Sequence, residues 1–78
     1  MPRYFFDLSD SCLQFPDKKG TELHCIDDAK DEAVRALVDI IRILPDGAYR
    51  ELAYTVRDDS GRQLMQVAIK FELQPVQG

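Results

Sequence analysis

The chain has 78 residues and a mass of 8.9 kDa, which is enough for one small domain and excludes a two-domain enzyme. Hydrophobic residues make up 45% of the sequence and charged residues 31%, an ordinary globular composition that excludes wholesale disorder. Fourteen acidic residues against ten basic ones leave a net charge of −4, which argues against a general binder of phosphate backbones.

The sequence has no segment with the pattern of a signal peptide or of a membrane span. The first apolar run ends after three residues at Asp7, whereas the core of a signal peptide needs about 7–15 apolar residues. The longest apolar helical stretch, residues 33–44, is interrupted by Arg35, Asp39 and Arg42 and is shorter than the ~20 residues that cross a bilayer. We therefore expect a cytoplasmic protein in which the cysteines are reduced thiols.

The N-terminal segment, residues 3–9, predicts a β-strand. Tyr4, Phe6 and Leu8 share one face and alternate with a more polar set, which is typical of a strand with one buried side. Three short elements are expected to follow: a second strand over residues 12–15, a turn over residues 16–20 that contains proline and glycine, and an extended edge over residues 21–24.

A helix is predicted from about residue 26 to residue 44. Acidic residues crowd its first turns, where they complement the helix dipole. Asp27 is the expected N-cap, and a start two residues earlier is the alternative. Pro45 and Gly47 are expected to end the helix. The apolar residues recur at helical spacing and form one stripe, consisting of Ala29, Ala33, Leu37, Ile40 and Leu44, widened by Val34 and Ile41.

Two further strands, over residues 49–57 and 63–73, are joined by a turn at residues 58–61. Their apolar faces and that of the first strand need a cover, and the helix stripe is the available one. We therefore predict an α+β domain with a two-layer ββαββ arrangement. In it, a mostly antiparallel sheet of three to four strands carries one long helix on one face. The domain is expected to occupy residues 1–73, with a frayed tail at residues 74–78.

Two short motifs flank the first turn: Pro-Arg-Tyr-Phe-Phe at residues 2–6 and Gly-Thr-Glu-Leu at residues 20–23. With Asp17, and with weaker motifs in the helix and the last hairpin, they resemble a family of small bacterial proteins catalogued as a domain of unknown function. The resemblance implies a compact cytosolic domain and supplies no activity, cofactor or catalytic residue. Members of that family often have His where Asp7 stands, and many have Asp where Cys25 stands.

Cys12, His24 and Cys25 are potential zinc ligands. A structural zinc site usually has four ligands, often in Cys-x-x-Cys pairs, whereas here two candidates are adjacent and the third is distant. We therefore expect two thiols and a surface histidine, with no metal and no cofactor. A small-ligand or metal-responsive domain built on these three residues is the alternative function.

The sequence predicts no catalytic residues. His24 and Cys25 are neighbours, and adjacent side chains of an extended segment point to opposite faces, so they are poorly placed as a dyad. The four glycines are scattered and form no phosphate loop. Acidic clusters at residues 27–32 and 58–59 are explained by helix capping and turn chemistry. We therefore predict that the protein is not an enzyme.

The sheet face opposite the helix is the remaining candidate surface. Nucleic-acid binding is not expected there, because a single aromatic residue lies among mixed charges. Membrane binding is not expected either, because the polar arc of the helix carries more acid than base. We predict a non-catalytic module for protein interaction or self-association, with a homodimer formed through this face. The edge over residues 21–24 is a second surface on which another chain could dock. The predicted interaction surface consists of Phe5, Ala53, Thr55, Leu64 and Ala68.

Overall fold

The computed structural model describes residues 1–43 and 49–76. For Ile43 and Tyr49 it describes the backbone only. This part of the chain forms an antiparallel sheet of five strands with one helix packed against one face, which confirms the predicted α+β class. The elements in chain order are β1 (Arg3–Asp10), β2 (Leu13–Phe15), β3 (Thr21–Glu22), α1 (Ile26–Ile43), β4 (Tyr49–Arg57) and β5 (Gln63–Glu72).

The strand order is β2-β1-β4-β5, and β3 also pairs with β1. β2 pairs with the C-terminal part of β1, and β3 pairs with its N-terminal part. Between them, the Phe6 N–H donates to the Asp17 carboxylate (3.1 Å), so the chain stays beside the same edge of β1. The sheet therefore has five strands, because the two short segments predicted before the helix both pair with β1.

The helix begins at Ile26, as predicted. The Ala29 N–H donates to the Cys25 carbonyl (3.3 Å), so the N-cap is Cys25, the earlier of the two positions that the sequence allows, and not Asp27. Asp27 and Asp28 lie in the first turn, where their charge still complements the helix dipole. The predicted helix terminator at residues 44–47 lies outside the described residues.

The core lies between α1 and the centre of the sheet. Leu52 and Val56 of β4 are fully buried, as are three residues of the predicted helix stripe, namely Ala29, Ala33 and Leu37. Two of these are alanines, and small side chains let the helix backbone approach the sheet closely. Next to this core, the rings of Phe6 and Tyr54 meet edge to face with centroids 6.1 Å apart.

The helix lies over β4 and β5 and also packs on Tyr4 at the start of β1. It leaves the same face of β2 and of the C-terminal part of β1 largely uncovered. Leu13 and Phe15 of β2 lie on this face, since they pair in register with Asp10 and Leu8 of β1. They are 61% and 51% exposed. Among the described residues, no helix combines the length and the apolar composition needed to cross a bilayer.

Candidate functional site

The open face, defined as the sheet face opposite α1, carries a charged cluster centred on Arg57. Its guanidinium donates two hydrogen bonds to Asp7, from Nε to Oδ2 (2.6 Å) and from Nη2 to Oδ1 (3.2 Å). Nη2 also donates to the Asp17 carbonyl (3.0 Å). The hydrogen bonds from Arg57 lower the pKa of Asp7, although burial opposes this. Arg57 and Asp7 are therefore a charged pair at neutral pH.

The ring of Phe5 lies under this cluster. Phe5 and Arg57 are paired in register between β1 and β4, and the guanidinium carbon lies 4.9 Å from the ring centroid. This geometry is a cation–π contact. The guanidinium of Arg57 therefore covers part of Phe5, which is the one aromatic residue of the predicted interaction surface.

The Asp17 carboxylate fills the gap between β2 and β3. It accepts hydrogen bonds from three backbone N–H groups, those of Phe6, Lys19 and Gly20, each at 3.1 Å. The Asp17 N–H in turn donates to Asp7 Oδ1 (2.9 Å). Burial raises the pKa of Asp17, but the three N–H donors outweigh it, so the pKa lies below its usual value. This carboxylate replaces the backbone acceptor that an uninterrupted edge strand would supply.

Gly20 ends the same turn and lies very close to β1. Its φ angle is +73°, and a Cβ placed there would lie 2.9 Å from both Arg3 Cγ and Phe5 Cε2 and 3.0 Å from the Tyr4 carbonyl oxygen. Beside it, Arg3 donates to the Lys19 carbonyl (2.8 Å). A side chain at position 20 would therefore push the turn away from β1.

The charged cluster has a structural role. Its carboxylates, guanidinium groups and backbone donors are bonded to one another, and in the described part of the chain no buried side-chain nitrogen or oxygen lacks a partner. Residues of both short motifs that carry the family resemblance take part in holding the turn and β3 against β1. Sequence reasoning missed the cluster, although Asp7 and Arg57 both fall on the open face of their predicted strands.

Two residues of the predicted interaction surface, Thr55 and Leu64, line one shallow depression. Ala53 and Ala68 are paired in register between β4 and β5, and Leu64 is 38% exposed beside the irregularity at Val56/Arg57. Phe5 is half-buried on β1, under Arg57. The role of this surface in association stays a prediction.

Cys12, His24 and Cys25 do not come together. All three side chains are exposed, but Cys12 lies in the turn after β1 whereas His24 and Cys25 precede α1, beside the other end of β1. β1 has eight residues, so the two positions are about 25 Å apart, and one ion cannot contact all three side chains. Within residues 1–43 and 49–76, no group of three or more His, Cys, Asp or Glu residues is arranged to hold a metal ion.

The uncovered face of β1 and β2 forms a concave surface beside the helix, which we call the helix-side groove. It has a volume of about 400 Å³. Phe6, Leu8, Phe15 and Tyr54 supply most of its apolar lining, and the charged residues Asp17 and Glu32 also line it. Burial, and after it the negative charge of Asp17, raises the pKa of Tyr54, so the phenol is neutral. Sequence reasoning missed this groove because it placed the helix over the whole sheet.

The comparisons with known proteins agree with the resemblance seen in the two motifs. A family model described as a domain of unknown function, DUF6894, matches residues 3–70, which includes both motifs apart from Pro2, the helix and most of β5. No curated protein and no solved structure matches the chain significantly. The chain belongs to the DUF6894 family, a domain of unknown function.

Proposed function

We propose that this domain is a non-catalytic module of the cytoplasm that binds an apolar segment of another protein in the helix-side groove. The observation that carries the proposal is the exposure of Leu13 and Phe15 on the core side of the sheet. Large apolar side chains grouped beside a concavity are typical of protein-binding surfaces. Phe15 lines the groove, and Leu13 is two residues away on the same face of β2.

The charges around the groove favour a partner segment with basic flanking residues. Asp17 and Glu32 line the groove, and next to Glu32 the carboxylates of Asp28 and Asp31 line a second depression that also contains Arg35. The chain as a whole carries a net charge of −4. Electrostatic complementarity raises the association rate and excludes like-charged partners. We therefore expect apolar anchors with lysine or arginine beside them.

The groove offers little for catalysis. Among the described residues that line it, none is His, Cys, Ser or Lys, so the commonest nucleophiles and the imidazole base that activates them do not occur there. The Asp17 carboxylate is engaged by three backbone N–H groups. These features support binding without chemistry.

A reducing compartment is supported by the cysteines. Cys12 and Cys25 are both exposed and lie beside opposite ends of β1, too far apart to pair with each other, and exposed thiols without a partner are typical of proteins from a reducing compartment such as the cytoplasm. The acid-rich polar arc of α1 gives no attraction to anionic lipid surfaces. A cytoplasmic location is therefore part of the proposal.

The test uses a phage-displayed library of random peptides selected against the wild-type protein. We expect enriched peptides that combine apolar residues with Lys or Arg. Amide chemical-shift changes on adding such a peptide should be confined to residues around Phe6, Leu8, Phe15 and Tyr54. Shifts confined to the open face, or a library that yields no binder, would contradict the proposal.

Matched variants locate the contact. Phe15→Ser and Leu13→Ser should each weaken peptide binding at least about tenfold, since removal of a central apolar anchor costs more than about 1.4 kcal/mol. Leu64→Ser is the control, because Leu64 is also exposed but lies in β5, away from the groove. Equal losses in all three variants would show that the groove is not the binding site.

A further inference from the structure

The two edges of the sheet are built differently. One edge consists of β2 with three residues and β3 with two, separated by Pro16 and by the turn whose Asp17 carboxylate binds the Phe6 N–H. Short, interrupted strands and proline are the usual means by which proteins prevent edge-to-edge association. This edge is protected.

The other edge, β5, has none of this protection along most of its length. It is a continuous strand of ten residues, and among the described strands it pairs only with β4. Residues 63–69 contain no charged residue, no proline and no glycine. The irregularity in its pairing lies near its start, opposite Val56/Arg57, and the register is regular from Met65 to Glu72.

The backbone of β5 presents hydrogen-bonding groups to the outside. The Phe6 N–H points away from β4 to Asp17, and hydrogen-bonding directions alternate along and across antiparallel strands. Val56, the partner of Phe6 in register, therefore faces β5. It follows that the N–H and C=O groups of Gln66 and Ala68 point away from β4, to the outer edge of the sheet.

The helix adds an apolar ridge beside this edge. Val34 and Val38 lie one turn apart on α1 and are 43% and 46% exposed. With Val67 and Ile69 of β5 they line a crevice of about 110 Å³. The outer edge of the sheet and this flank of the helix therefore form one continuous side wall, with strand donors and acceptors below and valine side chains above.

We propose that a second copy of this chain binds this side wall, with the two β5 strands paired antiparallel about a two-fold axis at Ala68. A strand that pairs antiparallel with its own copy makes a closed, isologous interface. Centring on Ala68 overlaps residues 65–71 of the regular stretch, which no other centre exceeds, and places the smallest side chain on the axis. It sets Val67 opposite Ile69 of the copy and Gln66 opposite Lys70, so that no like charges face each other.

The size of the side wall fits a dimer of moderate affinity. β5 has ten residues and is therefore about 33 Å long, and the smallest extent of the molecule is 19 Å. A wall of these dimensions would bury at most about 600 Å² on each copy, or about 1,200 Å² in total, which is the lower limit for a specific, stable interface. We expect a dissociation constant between about 1 and 100 μM. The groove of the proposed function lies beside β1 and β2 and stays open in this dimer.

Sedimentation equilibrium over about 1 μM to 1 mM tests the proposal. The wild-type protein should pass from monomer to dimer in this range. Val38→Lys should weaken the dimer at least about tenfold, because it places two ammonium groups near the axis. Leu13→Lys is the matched control: it makes the same kind of change at an exposed apolar side chain on the protected edge, and the dimer should persist.

A backbone variant and an exchange measurement test the strand pairing itself. Ala68→Pro removes an outward N–H without removing a bond to β4, and it should abolish the dimer. Even if that variant does not fold, the wild-type protein is informative, since the amide protons of Gln66 and Ala68 should become protected from exchange only at high concentration. A wild-type protein that stays monomeric at 1 mM, or a dimer lost in Leu13→Lys and kept in Val38→Lys, would overturn the proposal. Neither outcome bears on peptide binding in the groove.

Discussion

Gly20→Ala tests whether the turn before β3 is held to β1 by close packing. Gly61→Ala is the matched control, because both glycines have positive φ angles, +73° and +89°. A Cβ at position 20 would meet three atoms at 2.9–3.0 Å, whereas at position 61 it would meet nothing within 4 Å. The two variants therefore share the backbone effect and differ in the contact.

The expected magnitudes follow from this difference. Alanine in the left-handed region costs about 1–2 kcal/mol, and the effect of removing a glycine from the unfolded chain is the same in both variants. At position 20 one obstacle is the Tyr4 carbonyl oxygen, which moves only if the pairing of β1 and β3 opens. Overpacking of this kind costs about 1–3 kcal/mol more. We expect a total loss of about 2–5 kcal/mol for Gly20→Ala.

Urea unfolding followed by circular dichroism, at a concentration where the protein is monomeric, measures both losses. The denaturant dependence should stay unchanged, since the same surface is exposed on unfolding, while the midpoint falls further for Gly20→Ala. In thermal unfolding each additional kcal/mol corresponds to about 4–8 °C. If Gly20→Ala is no less stable than Gly61→Ala, the close approach at the turn does not contribute to stability and the reasoning is refuted.

Three further predictions concern pH and the core. The hydrogen bond from Arg57 lowers the pKa of Asp7 in the folded state, so the ionised Asp7 stabilises the fold above pH ~4, and this stabilisation is lost as the pH falls through the folded pKa. Asp7→Asn should therefore make the free energy of unfolding depend less on pH in the acid range. Wild-type and variant curves that run parallel would contradict this. Burial raises the pKa of Tyr54, so stability should fall as the pH rises above about 10, and Tyr54→Phe should reduce this loss. Leu52→Ala should cost about 2–5 kcal/mol because Leu52 is fully buried, whereas Leu13→Ala should leave the urea midpoint nearly unchanged.

The charged cluster gives the family motifs a physical meaning. Arg3, Asp17 and Gly20 all act on the turn between β2 and β3, and Asp7 and Arg57 hold that turn from the open face. These residues form an intramolecular brace. Chains of this family that share the motifs are therefore expected to share the interrupted edge strand, whatever their partners are.

Local patterns of apolar and polar residues were sufficient to predict the helix and the long strands. Alternation of apolar and polar residues predicts β1, β4 and β5, and helical spacing predicts α1, because each element has one buried face that repeats at its own period. The N-cap is Cys25, the earlier of the two positions that the sequence left open. The cap at Cys25 acts through a backbone carbonyl, which every residue type has, so side-chain identity carries no signal there.

The arrangement of these elements was decided by tertiary structure. Asp7 and Arg57 are 50 residues apart, and only the pairing of β1 with β4 brings their side chains together. A periodic pattern shows which face of an element is apolar, but it does not show which strands the helix covers. Because α1 lies over β4 and β5, the groove beside β1 and β2 and the side wall along β5 exist as separate surfaces. The sequence alone determined that this small acidic chain folds as one helix on an antiparallel sheet, and the placement of that helix decided which apolar surfaces of the sheet stay uncovered.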